Sequence, residues 1–450
     1  MRIVRRIVTW AVLAAWGNVV WWASQTTWPP VVKILLAVAG FAFFCVVNVR
    51  PTLRRAAADA KRLASLVNGY ELLLAAGVCQ LADLAWWVYL LVGGAMGVPN
   101  APWLAFAGNA VVGVLTSVVM AIGGFLRLCF RSSQVSLTTK ILVVMFWWLP
   151  PLTVVLLGRA GRTALREYKT AVFRARRDQA RAGDRVCQTR YPLLMVHGVF
   201  FRDWAAFNYW GRIPKALTAN GATIYYGGQQ ASSSVADAAG ELAAAIDTIT
   251  AETGCGKVNI IAHSKGGLDS RWAISQLGRA DKVASLTTIN TPHQGCNFAR
   301  QLMERIPQTA VAAIGSGYDA VFTKLGDPDP SFIAAIADLT DTECARLNEL
   351  MPNAPGVLYQ SSGSRMASRF ASPFPLNLGY SLIQPLDGAN DGLVAVTSMP
   401  WGNFLGVVEP TANQGISHGD MIDLMRKDIG DFDVCEFYVQ VVAGLKARGL

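Results

Sequence analysis

The sequence predicts two unlike parts, an all-α transmembrane helical domain and a following α/β domain with a mainly parallel sheet. Long apolar runs dominate the N-terminal part, and the mean hydropathy of the whole chain is +0.33. From Tyr191 onward, short apolar strands alternate with helical stretches, a pattern typical of α/β proteins. We therefore expect transmembrane helices over 1–158, a basic amphipathic linker helix over 159–188 and the α/β domain over 189–450.

Charge divides the chain in the same way. Residues 1–190 contain 22 Lys and Arg against 6 Asp and Glu, whereas residues 191–450 contain 18 against 24. The basic residues lie between and after apolar runs, which is typical of contact with an anionic membrane surface. No recognisable nucleic-acid-binding fold accompanies them. We expect membrane lipids as partners and no nucleic acid, and the sequence leaves protein partners unknown.

Four apolar runs are long enough to cross a hydrocarbon core of roughly 30 Å as helices. They occupy 7–24, 31–49, 72–97 and 103–126. The first run follows a basic start and also fits a signal peptide, but no clear cleavage site follows it and the second run begins soon afterwards. We therefore predict four crossings.

A fifth apolar run, over 141–158, contains the adjacent prolines Pro150 and Pro151. Because proline removes a backbone donor and clashes with the preceding turn, this run is predicted to be kinked or re-entrant rather than a full crossing. The links at 25–30 and 98–102 carry no charge, whereas basic residues cluster on the opposite side, which the positive-inside rule makes cytoplasmic. We expect a multi-pass protein of the cell membrane whose α/β domain is cytoplasmic. The alternative is that the fifth run crosses fully, which would place the residues after it outside.

The predicted linker helix interleaves arginines and lysines with alanines. Such a helix can lie on anionic headgroups, where each Lys or Arg contributes roughly 1 kcal/mol. A solvated linker helix is the alternative interpretation.

Six strands are predicted in the α/β domain, and the clearest helical patterns between them are 235–252 and 266–278. The strands are 192–196, 222–226, 257–262, 283–289, 356–360 and 393–397. The third strand ends abruptly at Ser264, and small residues stand two positions before and after it, at Ala262 and Gly266. A strand, a sharp turn and a helix in this order predict a nucleophile elbow, in which the serine stands above the edge of the sheet.

A serine nucleophile needs a base, and the chain has four histidines that could supply one. His263 directly precedes Ser264, so its side chain should point away from the attacking oxygen. His197 and His293 each follow a predicted strand. Only His418 comes after an acidic candidate, in the order Ser, Asp, His that a fold with this elbow uses. We therefore predict His418 as the base.

The acid that orients His418 is predicted to be Asp391, just before a predicted strand, and Asp387 in a neighbouring Asp-Gly turn is the alternative. This carboxylate would hold the histidine tautomer and stabilise the imidazolium that forms during catalysis. The oxyanion is predicted to accept hydrogen bonds from the backbone N–H groups of Val199 and Lys265, each worth roughly 3 kcal/mol of barrier.

Five sequence blocks of the α/β domain follow one another in a characteristic order. They are YPLLMVHGV at 191–199, NGATIY at 220–225, KVNIIAHSKGG at 257–267, TTINTPHQG at 287–295 and NDGLV at 390–394. In this order they resemble the bacterial family I triacylglycerol lipases, and the resemblance covers most of 191–445. It implies an α/β-hydrolase fold, hydrolysis of carboxylic esters and a triad of Ser264, Asp391 and His418.

Two positions depart from the pattern of that family. Ala262 replaces the usual first glycine of the elbow and is small enough for it, and Lys265 stands where such lipases often have Gln or Met. The backbone N–H of Lys265 can still serve the oxyanion. Its side chain is expected to face outward as a surface lysine, and attraction of anionic headgroups is the alternative.

No cofactor is expected from this sequence. Secreted members of the family hold a structural calcium with two aspartates, and Asp420 matches one of them, but 361–390 offers no convincing partner. Calcium needs six or more oxygens, so a calcium near Asp420 is the less favoured alternative. The five cysteines from Cys187 onward form no obvious pair and no zinc site, and we expect free thiols.

The segment 298–340 resembles the lid of lipases, which covers the site in water and opens on lipid. A plain core helix is the alternative. The apolar face of the predicted lid comprises Leu302, Met303, Ile306, Val311, Ile314, Val321 and Phe322.

Together these predictions favour a membrane-anchored serine hydrolase that cleaves long-chain acyl lipids through an acyl-enzyme. A phospholipase, an acyltransferase or a thioesterase on the same scaffold are the alternatives. A non-catalytic membrane scaffold or sensor is less favoured, because all three triad positions are present.

Overall fold

The computed structural model describes residues 2–50, 60–95, 103–199, 209–230, 233–305, 337–409 and 414–450. The chain divides into two compact units, Met1–Arg177 and Asp178–Leu450. The boundary between them falls within the predicted linker helix.

The described secondary structure of the first unit is entirely α-helical. Its helices are α1 (Arg2–Gly17), α2 (Val19–Gln25), α3 (Pro30–Val49), α4 (Ala60–Ala95), α5 (Trp103–Arg131), α6 (Leu137–Met145) and α7 (Pro150–Ala180), the last of which runs just past the unit boundary.

Three of these helices are long and apolar enough to cross a membrane, namely α3, α4 over Lys61–Val92, and α5. α1 and α2 together meet the same criteria but are bent by 66° at their junction. If this bent pair forms one span, the described residues contain four spans, the number that the hydropathy pattern predicts. The bend itself is a feature that the pattern does not reveal.

The bend between α1 and α2 lies at Asn18, which belongs to a buried polar cluster. Asn18 Nδ2 donates to Ala14 O at 2.8 Å and to Asp83 Oδ1 at 2.6 Å, and Asn18 Oδ1 accepts from Asn109 Nδ2. Buried polar groups are tolerated among apolar helices when they pair in this way. The cluster therefore links the bend to α4 and α5.

The fifth apolar run is broken at its two prolines. α6 ends at Met145 and α7 begins at Pro150, where the missing N–H of proline is one of the unpaired donors of the first helical turn anyway. Neither α6 nor α7 is among the described helices that are long and apolar enough to cross a membrane.

The second unit contains a six-stranded sheet with helices on both faces. Its strands are β1 (Leu193–Val196), β2 (Ile224–Tyr226), β3 (Val258–His263), β4 (Val283–Ile289), β5 (Leu358–Ser364) and β6 (Asn403–Val408). Its helices are α8 (Ile213–Ala219), α9 (Val235–Thr253), α10 (Gly266–Ser275), α11 (Asn297–Arg305), α12 (Asp341–Leu350), α13 (Leu376–Asp387) and α14 (Val434–Ala447).

The strand order is β2-β1-β3-β4-β5-β6, and every pairing is parallel, as the alternation of strands and helices predicts. Successive side chains of a strand point to opposite faces. In β1, Leu193 and Met195 therefore join the core beneath α8 and α14, while Leu194 and Val196 join the core beneath α9 and α10. Burial on both faces explains why the central strands read as continuous apolar runs.

The predicted sixth strand, 393–397, is wrong. Leu393 and Val394 donate their N–H groups to Asp391 Oδ1, and a short 3-10 helix follows at Val396–Ser398. The apolar side chains here are buried in a loop rather than in the sheet. The sixth strand is β6, ten residues later, whose partly exposed side chains are typical of a sheet edge.

Candidate active site

The turn after β3 holds Ser264 in a conformation that few serines adopt. β3 ends at His263, Ser264 has a φ of +55°, and α10 begins at Gly266. Positive φ is uncommon for a residue with a side chain, and such strain concentrates at functional sites. Ser264 N donates to Ile289 O at 3.0 Å, which ties the turn to β4. The partly exposed serine thus stands at the carboxyl end of the sheet.

Close backbone contacts around this turn explain its small residues. A Cβ added to Gly198 would lie 2.6 Å from Ser264 Cβ, and a Cβ added to Gly266 would lie 2.3 Å from His197 O. Both separations are too short for non-bonded carbon and oxygen atoms, so these positions accept only glycine without a shift. The loop that follows β1 therefore lies directly against the serine turn.

Asp391 and His418 are in direct contact. His418 Nδ1 lies 2.7 Å from Asp391 Oδ2, and the His418 N–H donates to Asp391 O at 2.9 Å. Asp391 is fully buried, and its Oδ1 accepts from Leu393 N and Val394 N at 2.9 and 2.7 Å. The carboxylate is held on both oxygens, which favours the tautomer in which His418 carries a proton on Nδ1 and keeps Nε2 as acceptor.

The alternative acid, Asp387, contacts α11 and not His418 in the hydrogen bond that its side chain accepts. It ends α13 and accepts from Phe298 N at 3.3 Å, at the start of α11. Of these two aspartates, Asp391 is therefore the one that contacts His418.

Asn290 is a part of the site that the sequence reasoning missed. It follows β4 with a φ of +49°, and its Nδ2 donates to Asp391 Oδ2 at 2.6 Å and to Ser364 Oγ at 2.7 Å. The amide therefore helps to fix the carboxylate from the side opposite to the loop N–H groups. A polar residue directly after a buried strand was the available signal.

The chain is similar in sequence to known lipases. No family model matches the chain. The chain is 32% identical over 243 residues to the triacylglycerol lipase of Vibrio cholerae, a match that spans 48% of this chain and 76% of that lipase. The chain belongs to the triacylglycerol lipases. Family membership confirms the resemblance, and with the parallel sheet it makes this lipase an α/β-hydrolase that cleaves carboxylic esters.

Two further proteins are similar to this chain. The lipase is 33% identical over 185 residues to the triacylglycerol lipase of Burkholderia plantarii, over 38% of this chain and 51% of that one. Among solved structures, the Staphylococcus hyicus lipase is similar with a TM-score of 0.44 and 18% identity, over 58% of this chain and 97% of that one.

A buried tyrosine connects the two sides of the lipase site. Tyr209 Oη accepts from Gly198 N at 3.0 Å and lies 2.7 Å from His263 Nδ1. The His263 ring packs against the His418 ring, with 4.4 Å between centroids. Burial lowers the pKa of His263 well below its usual value, and the adjacent His418 lowers it further. A neutral His263 can then accept the tyrosine proton on Nδ1.

The two predicted oxyanion donors lie on either side of the serine turn. Lys265 follows Ser264 at the start of α10, and Val199 is a buried residue of the loop whose Gly198 touches the serine. Residues 200–208, which continue this loop, lie outside the described residues.

The expectation for the Lys265 side chain is wrong in both of its forms. The side chain is 1% exposed, and its Nζ donates to Asp269 Oδ1 at 2.7 Å and to Ser234 O at 3.3 Å. Burial raises the pKa of Asp269 to about 7, and the Lys265 ammonium limits the rise. The lysine is a buried partner within α10 and presents no charge to headgroups.

The other histidines have structural contacts. Gln229 Nε2 donates to His197 O at 2.9 Å, which holds the loop after β1. His293 is fully buried, its Nε2 lies 2.9 Å from Thr288 Oγ1, and its ring stacks on Trp401. The contacts of His293 thus hold its ring in the buried core.

The surroundings of Asp420 do not fit a calcium ion. Its Oδ2 accepts from both Ser417 N and Ser417 Oγ, and the nearby Asp423 is paired with Arg212. Within the described ranges, no group of three or more His, Cys, Asp or Glu could hold a metal. All eight cysteines are free thiols.

The predicted lid falls largely outside the described residues. Only α11 and the residues after 336 belong to the described part of 298–340, and Ile306, Val311, Ile314, Val321 and Phe322 do not. Nothing is described for the side chains of Leu302 and Met303 either, so the lid stays a prediction.

Proposed function

We propose that the lipase is a membrane-anchored serine hydrolase of long-chain acyl esters, with Ser264, His418 and Asp391 as its triad. The observation that carries this proposal is the 2.7 Å contact between His418 Nδ1 and Asp391 Oδ2. The His418 ring also packs against the ring of His263, the residue directly before Ser264, whose φ is positive. The printed names of the relatives, triacylglycerol lipases, support glycerides as substrates.

In the proposed reaction, Ser264 Oγ attacks the ester carbonyl while His418 Nε2 takes its proton. Asp391 stabilises the imidazolium, and the N–H groups of Val199 and Lys265 stabilise the oxyanion. The imidazolium then protonates the leaving alcohol, and an acyl-enzyme remains. A water activated by His418 attacks this ester in the second half, which releases the fatty acid and restores the serine proton.

The helical unit supplies the proposed anchor. Three described helices, or four with the bent α1–α2 pair, are long and apolar enough to span a bilayer. The second unit, Asp178–Leu450, carries the proposed triad and is called the catalytic unit below. By the positive-inside rule we place it on the cytoplasmic side of a multi-pass protein. The basic α7 would lie on anionic headgroups. A chain anchored in this way meets its acyl substrates by diffusion within the membrane.

Labelling with a fluorophosphonate probe tests the catalytic part of this proposal. The wild-type chain should be labelled and Ser264→Ala should not, while Ser275→Ala should still be labelled, because Ser275 Oγ only donates to Arg271 O within α10. Labelling that persists in Ser264→Ala would show that Ser264 is not the nucleophile.

Product analysis with defined triacylglycerols and phospholipids then tests the substrate. Free fatty acid from triacylglycerol is expected. Release from phospholipids alone, or transfer of the acyl group to another alcohol, would replace the proposed substrate with one of the alternatives. A reporter fused after residue 190 that is active only outside the cell would contradict the cytoplasmic placement.

A further inference from the structure

An uncharged stretch of the catalytic unit exposes its largest apolar side chains. The 17 residues between Arg369 and Asp387 contain no charged residue. Five large apolar residues recur at every fourth position, and we name them the apolar ridge. They are Phe370, Phe374, Leu378, Leu382 and Leu386, which are 83, 75, 51, 42 and 39% exposed.

The helix α13 places part of this ridge on one side. Residues four apart lie on the same face of a helix, so Leu378, Leu382 and Leu386 point together into solvent. The inner side of α13 is packed, since Ile383 is 1% exposed and a Cβ on Gly379 would lie 2.0 Å from Gly392 O. The exposed face is therefore the outer face of a helix that is tightly seated on the unit.

The seat of α13 is the loop that carries the triad acid. Gly392, which touches Gly379, directly follows Asp391 in the chain. Asn390 Nδ2, on the other side of Asp391, donates to Gly388 O at 2.9 Å and to Gln384 Oε1 at 3.4 Å. The helix whose outer face carries the ridge is therefore seated directly on the loop that holds Asp391.

We propose that the apolar ridge docks the catalytic unit onto the lipid surface that holds its substrate. The inference rests on the proposed function and names the surface that the enzyme uses to reach a substrate dissolved in lipid. It concerns α13 and the residues before it, and not the predicted lid at 298–340.

A lipid surface is the occupant that these residues favour. Exposed apolar side chains on an uncharged stretch lower their free energy when they leave water for an acyl phase. At one end of the ridge, the Arg369 guanidinium lies over the Phe370 ring at 4.8 Å. An arginine at the edge of an apolar surface can keep its charge among phosphates while its stem follows the acyl chains. The proposed membrane anchor, three or four helices long and apolar enough to span a bilayer, would keep the chain at such a surface.

The test compares a lipid-dissolved ester with a water-soluble ester. Full-length protein is reconstituted in phosphatidylcholine and phosphatidylglycerol liposomes that contain trioleoylglycerol. Release of oleate is measured beside hydrolysis of p-nitrophenyl butyrate below its solubility limit. The variant is Leu378→Ser with Leu382→Ser. The matched control is Leu405→Ser on β6, which is 45% exposed and lies outside the ridge.

We expect the double variant to release oleate from trioleoylglycerol at least tenfold more slowly than the wild type. Its hydrolysis of p-nitrophenyl butyrate should stay within twofold of wild type. The control should keep both activities. A parallel loss of both activities, or a loss of neither, would overturn the docking role. A variant that converts a dimer of the wild type to a monomer in detergent would assign the ridge to a second copy instead.

The same assay separates this inference from the proposed function. If the wild type cleaves p-nitrophenyl butyrate but releases no oleate from trioleoylglycerol, the proposed substrate class fails. If the wild type cleaves both and the double variant behaves like wild type, only the docking inference fails.

Discussion

The hydroxyl of Tyr209 lies 2.7 Å from His263 Nδ1 and accepts the N–H of Gly198 at 3.0 Å. Through these contacts, one side chain holds the loop that carries Val199 and also the ring on which His418 packs. Because both contacts hold other parts of the site, we regard Tyr209 as a positioning residue.

Removal of this hydroxyl should reduce turnover more than binding. In Tyr209→Phe the Gly198 N–H loses its partner, and the loop becomes free to move relative to the turn. A lost hydrogen bond of about 1 kcal/mol corresponds to a fall in kcat of roughly fivefold. Steady-state kinetics with p-nitrophenyl butyrate should show this fall with KM within about twofold. A change in thermal stability alone, with kcat intact, would mean that Tyr209 has only a structural role.

The contact between His418 and Asp391 predicts a large and selective effect of Asp391→Asn. The amide can donate to His418 Nδ1 and so favours the wrong tautomer, for which a loss of about 10³- to 10⁴-fold in kcat is expected. Asp387→Asn changes an aspartate that accepts from Phe298 N, and it should stay within about threefold of wild type. Equal losses in the two variants would remove Asp391 from the proposed role.

The sequence carried the local features of this site and not its long-range contacts. Strands β1, β3 and β4 were predictable because each is a fully buried, largely apolar run, and the serine turn was predictable from the small residues Ala262 and Gly266. The segment 393–397 failed because burial of Val394 resembles a strand, while its N–H pairs with Asp391. No local pattern reveals that Tyr209 meets His263, 54 residues away.

The spacing of Lys265 and Asp269 in the sequence indicates that their side chains can meet. Lys265 and Asp269 are four residues apart at the start of a predicted helix, the spacing at which side chains meet. Ion pairs between residues four apart on a helix are usually exposed to solvent, however. The pair of Lys265 and Asp269 is buried because of the packing around α10, which the sequence does not show. The exposed face of α13 is the converse case, because its apolar spacing would ordinarily predict a core helix.

This buried pair predicts a stability loss in Lys265→Met. The variant leaves the Asp269 carboxylate buried without its cation, which should cost about 3 kcal/mol of the free energy of unfolding. The cost should be smaller at pH 5.5 than at pH 8, because protonation of Asp269 removes the unpaired charge. Urea unfolding measures both values. Lys265→Met combined with Asp269→Leu should recover most of the loss, and a double variant as unstable as the single one would contradict the pairing.

Buried neutral histidines predict that the catalytic unit loses stability in mild acid. Burial lowers the pKa of His293 well below its usual value, Arg271 lowers it further, and His263 is shifted in the same direction. Above about pH 6.5 both the folded and the unfolded states hold these rings neutral, so stability does not depend on them. As the pH falls below about 6.5, only the unfolded state binds the protons, and each ring removes about 1.4 kcal/mol of unfolding free energy per pH unit until the folded pKa is reached.

The matched variant for this pH dependence is His293→Gln. Its amide can still donate towards Thr288 Oγ1 but does not titrate, so the variant should start less stable at pH 7.5 and lose stability less steeply towards pH 5.5. The expected difference in slope is about 1.4 kcal/mol per pH unit, measured by urea unfolding of the full-length chain in detergent. The upper part of this pH range reports most directly on the histidines, because most carboxylates titrate at lower pH. Parallel pH curves for the wild type and His293→Gln would show that His293 binds its proton equally well in the folded state, against the effect expected from its burial.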